Sequence, residues 1–153
     1  MHSPTLARIV CALSLVGLVG VLGASVVRTD GQVRAQAAPM QVRYLEIVTP
    51  DLDETCAALG AAHGIEFGDP IPELGNARTA ALADGGMIGV RAPMRATEEP
   101  VVRPYILTDD IEAAIEAAEV AGAEIAIPPM EIPGQGTFAI YLLGGIDHGL
   151  WQD

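Results

Sequence analysis

The chain of 153 residues is half hydrophobic, which gives it enough apolar material for one domain with a buried core. Its formal net charge is −12, and all eight of its basic residues are arginine. Nucleic acid and anionic lipid surfaces both present negative charge, so an acidic chain without a basic stripe is a poor partner for either.

Residues 1–40 predict an export segment that stands apart from the folded domain. An uncharged run of nineteen residues, 9–27, is flanked by arginine on both sides and is followed by Ala35-Gln36-Ala37. An apolar run leading to an Ala-x-Ala site is typical of a secretory signal peptide. A run of this length can also stay in the bilayer as an anchor. Either interpretation predicts a domain outside the cytoplasm, whereas translation from Met40 would give a cytoplasmic protein.

The remaining residues, 41–153, predict the same series of elements twice. One apolar, strand-like segment leads into Thr49-Pro50-Asp51, and a second leads into Thr108-Asp109-Asp110, at an offset of 59 residues. In each copy we expect the polar and acidic residues to cap the first amide groups of a helix and to complement the helix dipole.

Both predicted helices carry an apolar stripe at helical spacing, so each packs on one side only. The apolar positions are Leu52, Cys56 and Leu59 in the first helix and Ile111, Ile115 and Ala118 in the second. Gly64 and Gly122 favour the left-handed turn that ends a helix. Because Cys56 belongs to the stripe, it indicates a small core residue rather than a reactive thiol.

Three strands are predicted after each helix. The first of them covers residues 65–67 in one copy and 124–126 in the other, and each is followed by a hairpin with a glycine-containing turn. Residues 92–100, which are acidic and contain proline, form the predicted linker between module 41–91 and module 101–153.

The sequence therefore predicts an α+β fold of two tandem βαβββ modules. One helix covers only one face of a curved four-stranded sheet, so the two modules are expected to share the other face. We expect a curved mixed sheet around a shared cleft, and the cleft is where a ligand would bind.

Four stretches of this domain carry a family resemblance. Residues 46–51, 106–110, 128–136 and 149–152 read EIVTPD, ILTDD, PPMEIPGQG and GLWQ. They resemble the vicinal oxygen chelate superfamily, which includes glyoxalase I, bleomycin-resistance proteins and extradiol dioxygenases. The last two stretches are similar to a subgroup of small glyoxalase-like proteins.

The resemblance also implies where a metal-dependent member would bind its metal, on the first and last strands of each module. The aligned positions hold Tyr44, Gly89, Arg103 and Gly149. Glycine has no ligating side chain, arginine repels a cation and tyrosine is an uncommon ligand. No metal and no other cofactor is therefore predicted.

Strand alternation predicts which side chains face the cleft, because successive residues of a strand point to opposite faces. The candidate ligand-binding residues are Tyr44, Glu46, Arg91, Arg103, Tyr105 and Trp151, and Met87 and Asp147 are expected to face the same way. Stacking on the rings and pairing with Arg103 would suit an aromatic or anionic small molecule.

These residues favour an exported, metal-free protein that binds a small molecule, and we expect it to form a homodimer. The alternative is a glyoxalase-like enzyme, a lyase, isomerase or dioxygenase, with Glu46 as its base or with a metal site elsewhere. Two structural interpretations compete with both functions. Glu46 could simply pair with Arg103 or Arg91, or Trp151 and Tyr44 could fill the cleft and leave an interaction module without a cavity.

Overall fold

The computed structural model describes residues 39–153. The apolar run and the cleavage site of the predicted export segment lie outside this range. Among the described residues, no helix is long and apolar enough to cross a membrane.

The two modules have the same order of elements. The first module has β1 (Val42–Val48), α1 (Leu52–His63), β2 (Pro70–Ile71), β3 (Ala77–Ala81) and β4 (Met87–Arg91). The second has β5 (Val101–Leu107), α2 (Ile111–Val120), β6 (Glu124–Ile132), β7 (Gly136–Leu143) and β8 (Ile146–Gln152). Each is a strand, a helix and three strands, as the internal repeat predicts.

All eight strands form one sheet in the order β2-β3-β4-β1-β5-β8-β7-β6. Within each module the first and last strands run parallel, β1 with β4 and β5 with β8. The modules join where β1 and β5 pair antiparallel, with Tyr44 opposite Tyr105 and Glu46 opposite Arg103. The sheet is mixed and curved but not closed, which confirms the α+β prediction.

One predicted strand is wrong. Residues 65–67 are irregular, and the short strand of the first module is Pro70–Ile71 instead. The side chain of Arg78 explains the difference, because its guanidinium donates to the carbonyl oxygens of Phe67 and Gly68. These carbonyl groups are therefore occupied by a side chain rather than by a strand partner. The corresponding residues of the second module do lie in β6.

The two helix starts also differ from the prediction in one respect. The Asp110 side chain accepts a hydrogen bond from the amide of Ala113 and caps α2 as expected. Asp51 precedes α1 but makes no side-chain cap, and its own amide donates to the hydroxyl of Thr49. At the other end of α1, Gly64 takes the left-handed conformation predicted for it.

Two apolar clusters lie on opposite faces of the sheet. Ala139 and Leu150 pack with Ile111 and Ile115 of α2, whereas the adjoining residues of the same strands, Ile140 and Trp151, pack with Tyr44, Leu74, Ala77 and Tyr105. The strand pleat separates them, because neighbouring side chains point to opposite faces. The cluster that contains Tyr44, Tyr105 and Trp151 faces the space that the two modules share.

Candidate functional site

A cavity of about 510 Å³ lies on the shared face of the two modules. All six candidate ligand-binding residues line it, together with aliphatic and aromatic side chains from both modules and with residues of the linker. The added residues are Glu73, Leu74, Gly75, Met94, Arg95, Thr97, Glu98, Ile127, Met130, Glu131, Ile132, Phe138 and Ile140. Trp151 and Tyr44 therefore form part of the wall and do not fill the cleft.

Three aromatic side chains in mutual contact form the buried part of the wall. Tyr44, Tyr105 and Trp151 are 3%, 4% and 1% exposed. The ring centroids of Tyr44 lie 5.5 Å from Tyr105 and 5.7 Å from Trp151, and Tyr105 meets Trp151 edge to face. These separations are those of favourable aromatic pairs, so the rings hold one another in place.

The tyrosines also explain two glycines at positions where the family resemblance implies metal ligands. A Cβ atom added to Gly89 would overlap the Tyr44 ring and hydroxyl, and one added to Gly149 would overlap the Tyr105 ring. Each ring thus lies directly across a glycine of its own module. Since a side chain at either glycine would collide with a ring, the residues present do not fit the metal-binding arrangement.

A buried carboxylate, Glu46, lies at the centre of the polar part of the cavity. One carboxylate oxygen accepts a hydrogen bond from Nε of Arg91 at 2.7 Å. The other accepts from Nη1 of Arg103 and from the Tyr105 hydroxyl, the latter at 3.1 Å. Glu46, Arg91 and Arg103 are all less than a tenth exposed, and the pairing satisfies charges that would be costly to bury alone.

Two further carboxylates complete this charged cluster, which consists of Glu46, Arg91, Arg103, Asp147 and Glu98. Asp147 accepts from Nη2 of Arg103 at 2.6 Å. Glu98 accepts from Nη1 and Nη2 of Arg91 at 3.0 and 2.5 Å, in a bidentate arrangement. The hydrogen bonds from Arg91 lower the pKa of Glu98. The cluster therefore holds three carboxylates and two guanidinium groups.

The geometry of Glu46 bears on whether it acts as a base. A general base must offer a free lone pair to the proton that it removes. Glu46 already accepts three hydrogen bonds, from Arg91 at one oxygen and from Arg103 and Tyr105 at the other, so only one of the four lone pairs of the carboxylate is left for a substrate proton.

Three polar atoms of the cavity residues are buried without a hydrogen-bond partner. Within the described part of the chain these are the Tyr44 hydroxyl, Nε of Arg103 and Nε1 of Trp151. Burial, followed by the nearby Glu46 carboxylate, raises the pKa of Tyr44, so its hydroxyl keeps its proton at neutral pH. Unpaired buried groups are rare in folded proteins, and each calls for an explanation.

The part of the site that comes from the linker was not predicted from the sequence. Glu98 binds Arg91, and its carboxylate also accepts from the amide of Met94 at 2.7 Å, which folds residues 94–98 against the cavity. The available signal was the pair Glu98-Glu99 shortly after Arg91, because a buried arginine requires a carboxylate within reach. Met87 packs against the aromatic cluster from β4, as expected.

No group of three or more His, Cys, Asp or Glu side chains within residues 39–153 has the arrangement of a metal site. Cys56 is buried, and burial raises the pKa of its thiol. The cysteine therefore stays in its protonated, unreactive form, as its position in the helix stripe predicts.

Comparisons with known proteins identify the fold but no close relative. No protein-family model and no curated protein matches the sequence. A hypothetical protein from Bacillus halodurans superposes with a TM-score of 0.61 at 10% identity, covering 74% of this chain and 94% of that one.

Two similar structures are methylmalonyl-CoA epimerases. A variant of the Streptomyces coelicolor enzyme, in complex with 2-nitronate-propionyl-CoA, has a TM-score of 0.56 at 18% identity and covers 74% of this chain and 94% of that one. The Mycobacterium tuberculosis enzyme has a TM-score of 0.56 at 15% identity and covers 72% and 86%. These likenesses confirm the vicinal oxygen chelate fold that the sequence resembles, and at such identities they concern the fold alone.

Proposed function

We propose that this domain is a metal-independent protein that binds a small, ring-bearing organic molecule outside the cytoplasm. The observation that carries the binding function is the cavity itself. Its volume of about 510 Å³ is that of a small-molecule site, and its wall combines aromatic and aliphatic side chains with a few polar atoms. Binding requires only such a lined cavity, without further chemistry.

Two contacts support binding without a metal. Gly89 and Gly149 lie against the rings of Tyr44 and Tyr105, which leaves no room for ligating side chains at these positions. The central carboxylate, Glu46, is held by two guanidinium groups, so most of its lone pairs are already used and are not free to ligate a cation. The wall is built for an organic molecule rather than for an ion.

Ligand screening by thermal unfolding tests the proposed function. A molecule that binds only the folded state raises the melting temperature, and the rise grows with the logarithm of its concentration once that exceeds the dissociation constant. Trp151 is the single tryptophan of the chain and lines the cavity, so its fluorescence should change with the same affinity. Metal analysis of the purified protein provides the opposing outcome, since one tightly bound transition metal per chain, lost in Glu46→Gln, would contradict the proposal.

The competing function is a glyoxalase-like enzyme with Glu46 as its base. Structures of similar fold include epimerases that bind coenzyme A derivatives, so the fold accommodates catalysis. The hydrogen bonds from Arg91 and Arg103 to Glu46 favour binding over catalysis in this chain. Recovering a bound molecule unchanged after prolonged incubation supports the binding function, and its conversion into product would favour the enzyme.

Export and dimerisation are separate proposals. Export depends on the uncharged run of residues 9–27, and a periplasmic or surface reporter fused after Asp153 should be active only if that run directs the chain across a membrane. A homodimer is expected to appear in light scattering at micromolar concentration as twice the chain mass of 15.9 kDa, and a clean monomer would exclude it.

A further inference from the structure

The linker between the modules forms a strap along one side of the cavity. We define the strap as residues 92–98, and four of its side chains line the cavity, those of Met94, Arg95, Thr97 and Glu98. Within the described chain the strap makes one hydrogen bond between backbone groups, from the Glu98 amide to the Arg95 carbonyl, and that bond is internal to it. The strap is therefore held to the rest of the protein through side chains.

Glu98 is the side chain that fastens the strap. Its carboxylate accepts hydrogen bonds from Nη1 and Nη2 of Arg91 at 3.0 and 2.5 Å and from the Met94 amide at 2.7 Å. The apolar contact beside it is slight, because Met94 reaches Gly75 with its sulfur but is 66% exposed. Loss of the Glu98–Arg91 pair should therefore release the strap and leave the sheet intact, since the strap belongs to none of the strands described.

The Glu98–Arg91 pair has the form in which an arginine binds the carboxylate of a ligand. Two hydrogen bonds run from one guanidinium group to the two oxygens of one carboxylate. Arg91 belongs to β4, is 3% exposed and is also held by Glu46, whereas the Glu98 side chain is 21% exposed and comes from the irregular strap. Glu98 thus stands where a bound carboxylate would pair with a guanidinium group that the sheet keeps in place.

The charge of the cluster determines how an anion can enter the cavity. The cluster already holds three carboxylates and two guanidinium groups, so an added anion would meet repulsion where screening by water is weak. An anion that takes the place of one carboxylate leaves the charge unchanged. Asp147 belongs to β8 and is not among the residues that line the cavity, and Glu46 is bound by both arginines. The exchange therefore falls on Glu98.

From these contacts we infer, resting on the proposed binding function, that Arg91 binds the carboxylate of a ring-bearing ligand and that the strap closes this site in the free protein. The ligand carboxylate takes over the two hydrogen bonds of Glu98, and the strap is released. The ring system packs on the partly exposed apolar side chains of the second module, Ile127, Met130 and Phe138. Because Glu98 is tethered beside Arg91, it lowers the apparent affinity of a free carboxylate.

Trypsin reports the release of the strap in the full chain, because it cleaves after arginine and the chain contains no lysine. Arg95 is the one arginine of the described residues that lies outside the strands, and cleavage there gives a fragment that begins at Ala96 and is identified by mass spectrometry. We expect naphthoate, which is ionised at neutral pH, to speed this cleavage severalfold. Naphthamide, the neutral amide of the same acid, should leave it unchanged.

One substitution assigns the closure to Glu98. Glu98→Gln removes the charge that holds the strap, so Arg95 should be cleaved faster without any ligand. Titration calorimetry should show naphthoate binding about tenfold more tightly to this variant than to the unmodified chain, with the affinity for naphthamide changed by less than about twofold. Glu99→Gln is the matched control, because Glu99 is exposed and does not line the cavity. Its cleavage and its affinities should follow those of the unmodified chain.

The outcomes separate the inference from the proposed function. If naphthoate binds without speeding the cleavage at Arg95, or if Glu98→Gln leaves its affinity unchanged, the inference is wrong and the binding function stands. The inference is also wrong if Glu98→Gln is cleaved at Arg78 as fast as at Arg95, because the pair would then hold the whole domain rather than the strap. If neither probe binds a chain that circular dichroism shows to be folded, the binding function fails together with the inference.

Discussion

The two modules share one order of elements but differ in how they are packed. In the second module, Ile111 and Ile115 of α2 are buried against Ala139 and Leu150. In the first, Cys56 is the only buried residue among the twelve of α1. The outer strands differ as well, since β6 and β7 have nine and eight residues whereas β2 and β3 have two and five. A repeated order of elements therefore does not bring repeated packing.

On the cavity face the two modules are alike. Each places a tyrosine across a glycine of its last strand, Tyr44 over Gly89 and Tyr105 over Gly149. The charged cluster crosses between them, because Glu46 of β1 pairs with Arg103 of β5. The comparison shows that the helix side is where the modules diverge and that the cavity side is where they depend on each other.

The largest loss of stability is expected from a substitution where the two modules meet. Arg103→Met leaves three carboxylates around one guanidinium group, and it should lower the free energy of unfolding by on the order of 3–5 kcal/mol, as loss of one partner of a buried ion pair does. The double variant Arg103→Met, Glu46→Gln removes one of those carboxylates and should recover much of the loss. Urea unfolding of both variants measures the difference.

The opposite result for these two variants would assign a different role to Arg103. If the single variant is nearly as stable as the unmodified chain and the double variant gains nothing, Arg103 does not neutralise the cluster. Arg103 would then be the anion-binding residue that the sequence analysis favours, and loss of affinity for an anionic ligand would be its signature.

The second effect tests the unequal packing of the helices. Ile115→Ala should lower the free energy of unfolding by about 2–5 kcal/mol, because it leaves a cavity between α2 and the sheet. Cys56→Ala at the corresponding position of α1 removes much less buried surface and should cost about 1 kcal/mol. Equal losses in the two variants, measured by chemical unfolding, would show that the modules are packed alike after all.

The third effect concerns the helix starts. Asp110→Ala removes the side-chain hydrogen bond to the Ala113 amide and should cost about 1 kcal/mol. Asp51→Ala should change the free energy of unfolding by no more than about 0.5 kcal/mol, because Asp51 makes no such bond. A larger loss in Asp51→Ala than in Asp110→Ala would reverse the assignment of the caps.

The smallest change in stability is expected from a substitution in the linker, where Glu98 forms an ion pair with Arg91 of the first module. The pKa of Glu98 is lower in the folded state than its unfolded value of about 4.3. The ionised Glu98 carboxylate therefore stabilises the folded state above that pH. This stabilisation is lost as the pH falls through the pKa that Glu98 has in the folded state. The urea midpoint of Glu98→Gln should lie below that of the unmodified chain at pH 7 and approach it in acid.

Glu99→Gln is the control for this pH dependence, because the neighbouring Glu99 is exposed and its charge can be removed without breaking the pair. We expect its urea midpoint to follow that of the unmodified chain at every pH. A difference between Glu98→Gln and the unmodified chain that persists unchanged below pH 4 would contradict the role assigned to the carboxylate charge.

Much of the fold was predictable because local patterns encode it. The spacing of apolar residues predicted both helices, and Gly64 predicted the end of α1. Strand alternation predicted that Tyr44, Glu46 and Tyr105 face one cavity, since the side-chain period of a strand is two residues. The error at residues 65–67 arose where a distant side chain, Arg78, occupies the backbone carbonyls, a contact that no local pattern contains.

The sequence by itself determined the order of elements and the direction in which the side chains of the first and last strands of each module point, because these follow from periods of two and 3.6 residues along the chain. Only the tertiary structure decided what those side chains do. Glu46 meets Arg91, 45 residues away, and Arg103, 57 residues away, and Glu98 enters the cavity from a linker without regular structure. Charge partners of this kind are set by strand register and side-chain reach, which depend on the assembled sheet.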